Sequence, residues 1–231
     1  MINKSIGKSF SVIIRTQNEE YWVGHTIQSV LEFFPGAEII IIDNNSTDHT
    51  HNICKMFSKA KLLEKSSTRS YTKFIFSKIN KYSPGKALNK GIKLSTRDNI
   101  LIISSHCVIK KINFSKLEEN IKNYVGIFGN QIPVYFGKKI RKRYIWSNFN
   151  DKVQKVNYFS KIENRYFFHN AFAFFKKSSL KKNPFDEELV GKEDRYWAKK
   201  IVSKKLKFLY DPFQIVEHHY TKNGSTWKGI G

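Results

Sequence analysis

NILIISSHCVI, residues 99–109, is the stretch on which the reading of this chain turns. Asn99 to Ile103 is an unbroken apolar run rich in isoleucine, the pattern of a strand buried on both faces. Such a run commonly ends in Gly, Asn or Asp. This one ends in Ser104-Ser105-His106-Cys107, so two hydroxyls, an imidazole and a thiol arrive at one point.

The flanking sequence says what that point is. SFSVIIRTQNEE (9–20) carries a short apolar strand from Phe10 to Ile14, then turns polar at Arg15-Thr16-Gln17-Asn18-Glu19. Val23, Ile27, Val30, Leu31 and Phe34 follow at helical spacing, and Pro35-Gly36 stops that helix. AEIIIIDNNSTDHT (37–50) gives a second buried strand, Glu38 to Ile42. It ends at Asp43, and the cap-rich turn Asn44–Asp48 opens another helix. Pro84-Gly85 starts a third helix with Ala87, Leu88 and Ile92 inward, and Ser95–Asp98 leads into the strand quoted above. Strand and helix in alternation predict a parallel sheet. Ligands of such sheets bind at the carboxyl ends of the strands. Thr16, Asn18, Glu19, Asp43 and residues 104–107 are therefore expected at one crevice. GxGxxG and GxxxxGK[ST] are both absent, which argues against a dinucleotide fold or a P-loop.

These segments resemble glycosyltransferase family 2, with its A-type, Rossmann-like fold. The family's Thr-x-Asn-Glu turn is matched by Thr16, Asn18 and Glu19. Its second-strand ending is matched by Asp43 to Asp48, Asn45 included. Its Gly-x-Ala-x-Asn-x-Gly is matched by Gly85, Ala87, Asn89 and Gly91. The family's fourth strand ends in Asp-x-Asp, which holds a divalent metal on the donor diphosphate. Here Ser104 and His106 stand in register with the two Asp, with Ser105 between them.

The resemblance continues in the second half. FFHNAFAFFKKSSL (167–180) resembles the acceptor-side strand, and NPFDEELVGKEDRYWAKKIV (183–202) the segment that ends in Glu-Asp. The family's general base for inverting transfer falls on Asp194, with Glu193 beside it. Both open a helix with Trp197 and Ile201 inward, where the macrodipole favours the ionised carboxylate. A carboxylate there accepts the proton of an attacking sugar hydroxyl. The last core strand ends at His218, a position that in the family binds metal or diphosphate. Two alternatives follow: Mn²⁺ or Mg²⁺ held through His106 and His218, or no metal, with the imidazoles and nearby lysines neutralising the leaving phosphate.

The resemblance thus implies a single α/β domain over 1–231, a mostly parallel sheet flanked by helices. About 1–110 is the nucleotide half, about 111–220 the acceptor half, and 221–231 a tail or lid. It implies an inverting enzyme that moves a sugar from a nucleotide-sugar donor to a glycan or lipid-linked glycan in surface polysaccharide synthesis. The donor contacts are expected from Thr16, Asn18, Glu19, Asp43, Asn45, Gly85, Asn89, Ser104, Ser105 and His106.

Composition bounds the alternatives. The chain has 231 residues, 40% apolar and 15% aromatic, enough for one folded core. No run is long enough to span a bilayer. MINKSIGKSF lacks the apolar centre of a signal peptide, and only Cys54 and Cys107 are present, so a cytoplasmic setting is expected. Lysine and arginine number 41 against 19 acids, a net charge of +22. That fits a solvated lysine-rich surface, or peripheral contact with an anionic membrane at its inner face. GKKIRKRYIW (137–146) is the densest basic and aromatic run. A nucleotidyltransferase would carry a Gly-rich N-terminal phosphate loop, which VIIRTQNEE lacks. A basic nucleic-acid binder would carry a recognition motif, and none is present.

Overall fold

Isoleucine alternation sends each buried strand's side chains to both faces of one sheet, and helices cover both. The computed structural model describes residues 4–59 and 73–227. β1 (Phe10–Thr16) is central to the first half. It pairs in parallel with β2 (Glu38–Asp43) on one side and β4 (Asn99–Ser104) on the other, and β3 (Phe74–Lys78) extends the sheet beyond β2. Val12, Ile14, Ile39, Ile41, Leu101 and Ile103 face one core, with Val23, Ile27, Val30 and the adjoining Phe34 of α2 (Val23–Phe33). Ile13, Ile40, Ile42, Ile100 and Ile102 face the other. There they meet Ala87, Leu88 and Ile92 of α4 (Pro84–Leu94), and Trp197, Ala198 and Ile201 of α7 (Glu193–Ser203). α1 (Lys4–Gly7), α3 (Thr50–Lys59), α5 (Phe114–Asn123) and α6 (Lys177–Lys182) complete the helices.

Each of the three strands runs past its apolar run, β1 to Thr16, β2 to Asp43 and β4 to Ser104. The ladder carries the polar residues along: Thr16 lies opposite Asp43, and Arg15 opposite Ser104. After Ser104 the chain turns through Ser105-His106 into β5 (Cys107–Lys111) rather than into a helix.

The second half enters with reversed polarity. β11 (Phe172–Lys176) runs antiparallel to β4 and to β6 (Ile127–Tyr135). β12 (Leu209–His219) is parallel to β6, and β5 closes the edge antiparallel to β12. The main order is β3-β2-β1-β4-β11-β6-β12-β5, so only β11 and β5 in it run against the other six strands. β7 (Lys138–Lys139) and β8 (Lys155–Val156) are short additions, and β9 (Phe159–Ser160) pairs with β10 (Arg165–Tyr166) as a separate hairpin. Among the described residues no helix is long and apolar enough to cross a membrane.

The start of α4 is pinned to the segment that leads into α7. Asn89 exchanges hydrogen bonds with Phe185, donating to its carbonyl (2.9 Å) and accepting from its N–H (3.2 Å). Ser83 caps α4 and donates to the Glu187 carbonyl. A Cβ at Gly85 would collide with the backbone carbonyl of Asp186. Gly85→Ala is therefore expected to cost about 1–3 kcal/mol by overpacking. The check is urea unfolding, with the midpoint lowered and the slope unchanged.

Candidate functional site

The carboxyl ends of β1 and β4 open onto a cavity of about 770 Å³, walled on the far side by residues 190–195 and by 223–226. Thr16, Glu19, Ser104, Ser105, His106, Glu193 and Asp194 all line it. The first five were expected at one crevice and Glu193 and Asp194, by the family resemblance, as catalytic; the fold brings all seven to one cavity.

The other expected site residues stand behind the wall. Asn18, at φ 50°, accepts from the Thr47 N–H (2.7 Å) and so ties the β1 exit to the β2 exit. Asp43 is buried and accepts from the Ser46 hydroxyl (2.5 Å) and N–H (3.1 Å), which closes its own turn. Asn45, also at φ 50°, donates to the Ile79 carbonyl (3.4 Å). Gly85 and Asn89 hold the 185–187 segment, as described above. His218 is fully buried behind His106.

The two carboxylates are clamped by partners that sequence reasoning missed. Arg15 donates to Glu193 Oε1 (3.0 Å) and to Asn170 Oδ1 (3.0 Å), and Asn170 Nδ2 also donates to Glu193 Oε1 (2.8 Å). Asp194 Oδ2 accepts from the Asn170 N–H (3.2 Å) and from Arg195 Nη1 (2.9 Å). Arg195 also pairs with Glu163 (3.0 Å). An Arg one residue before Thr16 and another one residue after Asp194 were the available signals. The expectation that the helix start favours ionised Asp194 is corrected here. Burial, with Glu193 adding repulsion against the pull of Arg195 and Arg15, pushes its pKa up to about 6. Desolvation outweighs the macrodipole in this position.

Behind the cavity a chain of hydrogen bonds crosses β5, β6 and β12. Glu19 Oε1 lies 3.1 Å from His106 Nδ1, and His106 Nε2 lies 3.0 Å from His218 Nε2. His218 Nδ1 meets Gln131 Oε1 (2.8 Å), and Gln131 Nε2 meets His169 Nδ1 (3.0 Å). The Ala171 N–H also donates to His169 Nδ1 (3.4 Å), which makes that nitrogen an acceptor and orients the Gln131 amide. Burial pushes the pKa of His169 and His218 well below the ordinary imidazole value, and at His169 the charges of Arg195 and Arg15 add to this, so both are neutral.

This chain bears on the expected metal. Both ring nitrogens of His106 and of His218 are engaged inside the protein, and the two rings point at each other. Ser104 and Ser105 supply neutral hydroxyls, weak ligands for a hard divalent cation. Among the described residues no three His, Cys, Asp or Glu side chains are grouped to hold a metal ion. The donor set as arranged does not fit Mn²⁺ or Mg²⁺.

Residues 221–227 of the expected tail are docked. Thr221 donates to Glu19 Oε1 (3.1 Å), Asn223 donates to the Asn18 carbonyl (3.0 Å), and Trp227 donates to the His219 carbonyl (3.0 Å). Residues 228–231 lie outside the described residues.

Known proteins are similar to this chain in sequence and in fold. The minor teichoic acid biosynthesis protein GgaB of Bacillus subtilis (strain 168) is 24% identical over 230 residues, covering 95% of this chain and 24% of its own length. The GalNAc(5)-diNAcBac-PP-undecaprenol beta-1,3-glucosyltransferase of Campylobacter jejuni is 25% identical over 216 residues, 89% of this chain and 63% of that protein. The chain therefore spans less than two thirds of either relative. Among solved structures, S. aureus TarS 1-349 in complex with UDP-GlcNAc superposes with a TM-score of 0.69 at 18% identity, over 96% of this chain and 61% of that one. The mannosyltransferase PcManGT from Pyrobaculum calidifontis, in complex with GDP-Man and Mn²⁺, gives 0.65 at 16% identity, over 94% and 58%. At these identities the likeness is one of fold. The family model described as glycosyl transferase family 2 matches residues 11–183, three quarters of the chain, and the chain belongs to that family.

Proposed function

We propose that this domain transfers a glycosyl group, with inversion, from a nucleotide-sugar donor to a glycan or lipid-linked glycan acceptor of surface polysaccharide synthesis. The observation that carries the reading is Asp194: a buried carboxylate on the wall of the cavity at the strand ends, with a pKa of about 6. A base of that strength is ionised at neutral pH yet strong enough to take a hydroxyl proton in the transition state. Asp194 accepts the acceptor's proton while that oxygen attacks the anomeric carbon and the donor phosphate departs. Glu193, paired with Arg15 and accepting a hydrogen bond from Asn170, positions the helix start.

On the donor side, the Thr16 hydroxyl is buried on the cavity wall without a hydrogen-bond partner, which suits a ligand polar group. Asn18, Asp43 and Asn45 shape the turns under the donor. Where the family has Asp-x-Asp, the Ser104 and Ser105 hydroxyls act on the phosphates, and His106, held by Glu19 and His218, lines the cavity beside them. Gln131, oriented by His169, asks His218 to donate from Nδ1 and accept at Nε2. His106 Nε2 then donates to His218 Nε2, with its Nδ1 against Glu19 Oε1. Arg165 and Lys192 line the same cavity with no ion-pair partner among the described residues, and add positive charge where the phosphate leaves.

A smaller cavity of about 370 Å³ meets the first at Arg165 and Arg195 and serves the acceptor. Phe159, Tyr166 and Tyr196 give flat faces for sugar rings, and Lys199 adds charge. The names of the two relatives, a teichoic acid protein and a lipid-linked glycan enzyme, fit this acceptor class.

Asp194→Asn is expected to lower kcat about 10²–10⁴-fold while leaving nucleotide-sugar affinity near normal. Activity of the unaltered protein should rise as pH climbs through about 6, as Asp194 loses its proton, and the residual activity of the variant should lack that limb. The check is a pH–rate profile beside donor calorimetry. Near-normal turnover in the variant would refute the role. Transfer is also expected to survive EDTA, since protein groups carry the phosphate charge. Loss of activity in EDTA and its return with Mn²⁺ would overturn that assignment.

A further inference from the structure

The densest basic run, left without a role by the site, forms a hairpin. β6 and β7 pair through Tyr135 and Lys138, and the two loop residues Phe136 (φ 43°) and Gly137 (φ 78°) both take the left-handed conformation of a tight hairpin turn. Asn or Gly is favoured at the first of these positions. A phenylalanine there is strained, and strain of this kind persists where the side chain has a use. The Phe136 ring is 75% exposed at the tip. Tyr135 (45%) and Tyr144 (72%) are exposed on the same arm.

The arm's charge is of one sign. No Asp or Glu occurs between Glu119 and Asp151. Lys138, Arg141 and Arg143 are exposed and have no ion-pair partner among the described residues, while Lys139 pairs with Glu217 (3.4 Å). Lys142 alone turns inward, to Asn130 and the Phe149 carbonyl. The arm also borders the catalytic cavity: Ile145 lines that cavity, and Tyr135 and Phe136 pack on Tyr220, next to Thr221.

We infer that this hairpin docks the domain on an anionic lipid bilayer, with Phe136 at the acyl boundary, the tyrosines at headgroup level and Lys138, Arg141 and Arg143 on the phosphates. A ring standing beyond the cations at the end of a narrow arm suits insertion at an interface, where aromatic side chains are favoured, rather than stacking along a strand of nucleic acid. The inference rests on the proposed reaction only in that a lipid-linked acceptor would be met at this surface.

The test is flotation of the protein with phosphatidylcholine vesicles, with and without phosphatidylglycerol. Binding is expected only to the anionic vesicles and should weaken as salt is raised to about 0.5 M. Removing three surface cations in Lys138→Ala/Arg141→Ala/Arg143→Ala should lower partitioning about a hundredfold, at roughly fivefold each. Phe136→Asn, which suits the backbone and so keeps the fold, should weaken binding to anionic vesicles in both low and high salt. Equal binding to neutral vesicles, no binding to anionic ones, an unaltered triple variant, or binding to single-stranded RNA in place of vesicles would each overturn the inference. Donor turnover without vesicles, measured on the same proteins, is expected to be unchanged. Its absence in the unaltered protein would count against the proposed reaction and leave the vesicle result to decide this one.

Discussion

One guanidinium joins the two halves of this molecule. Arg15 sits at the end of the central strand, and through Glu193 and Asn170 it holds the start of α7 and the approach to β11 against that strand. The residues it connects lie 178 and 155 positions away in the chain. The pair is little exposed, so its attraction is set against the cost of removing both charges from water. Such a pair gives little net stability, but losing one member strands the other. Its value lies in placement: Asp194 stands where it does because the residue before it is tied to the sheet.

The nucleotide half was legible because strands buried on both faces are written as continuous apolar runs, and because Pro84-Gly85 and Asp43–Asp48 punctuate them. The second half was harder to read. FAFFK at 172–176 is as apolar as β4, and nothing in its composition states its direction. Its reversal follows from the return of the chain through β6 and the 3₁₀ turn at Tyr144–Phe149, neither of which has a periodic signature. Five of the cavity residues were found because they follow strands, and Glu193 and Asp194 because their segment resembles the family's Glu-Asp motif. Asn170, His169 and Gln131 were not, since the pairs His169-Asn170 and Asn130-Gln131 interrupt apolar stretches without any motif, and only the fold shows that they meet.

Gly85 and Asn89 show how a motif is read correctly in place and incorrectly in cause. They were assigned to the donor, yet their atoms are spent on the 185–187 segment. That segment ends at Lys192, at φ 58°, which turns the chain into α7 and sets Glu193 and Asp194 on the cavity wall. A glycine that lets two backbones touch positions the proposed base, Asp194, about a hundred residues later in the chain. The effect on chemistry is indirect but no less strict, because a general base must lie within hydrogen-bond reach of its proton.

In the proposed reaction the buried carboxylate and the uncharged end of β4 belong to one electrostatic arrangement. Asp194, its pKa pushed up to about 6 by burial, is a stronger base than a solvated aspartate. Burial alone would push it further, until it was protonated and useless. Arg195 and Arg15 pull it back, so the cations of the acceptor wall tune the base. Two more carboxylates at Ser104 and His106 would add negative charge to the same cavity. Without a metal to neutralise them they would oppose both the donor phosphates and the ionisation of Asp194. In the proposed reaction, hydroxyls and an imidazole at that strand end let the cavity hold a phosphate and an ionised Asp194 together.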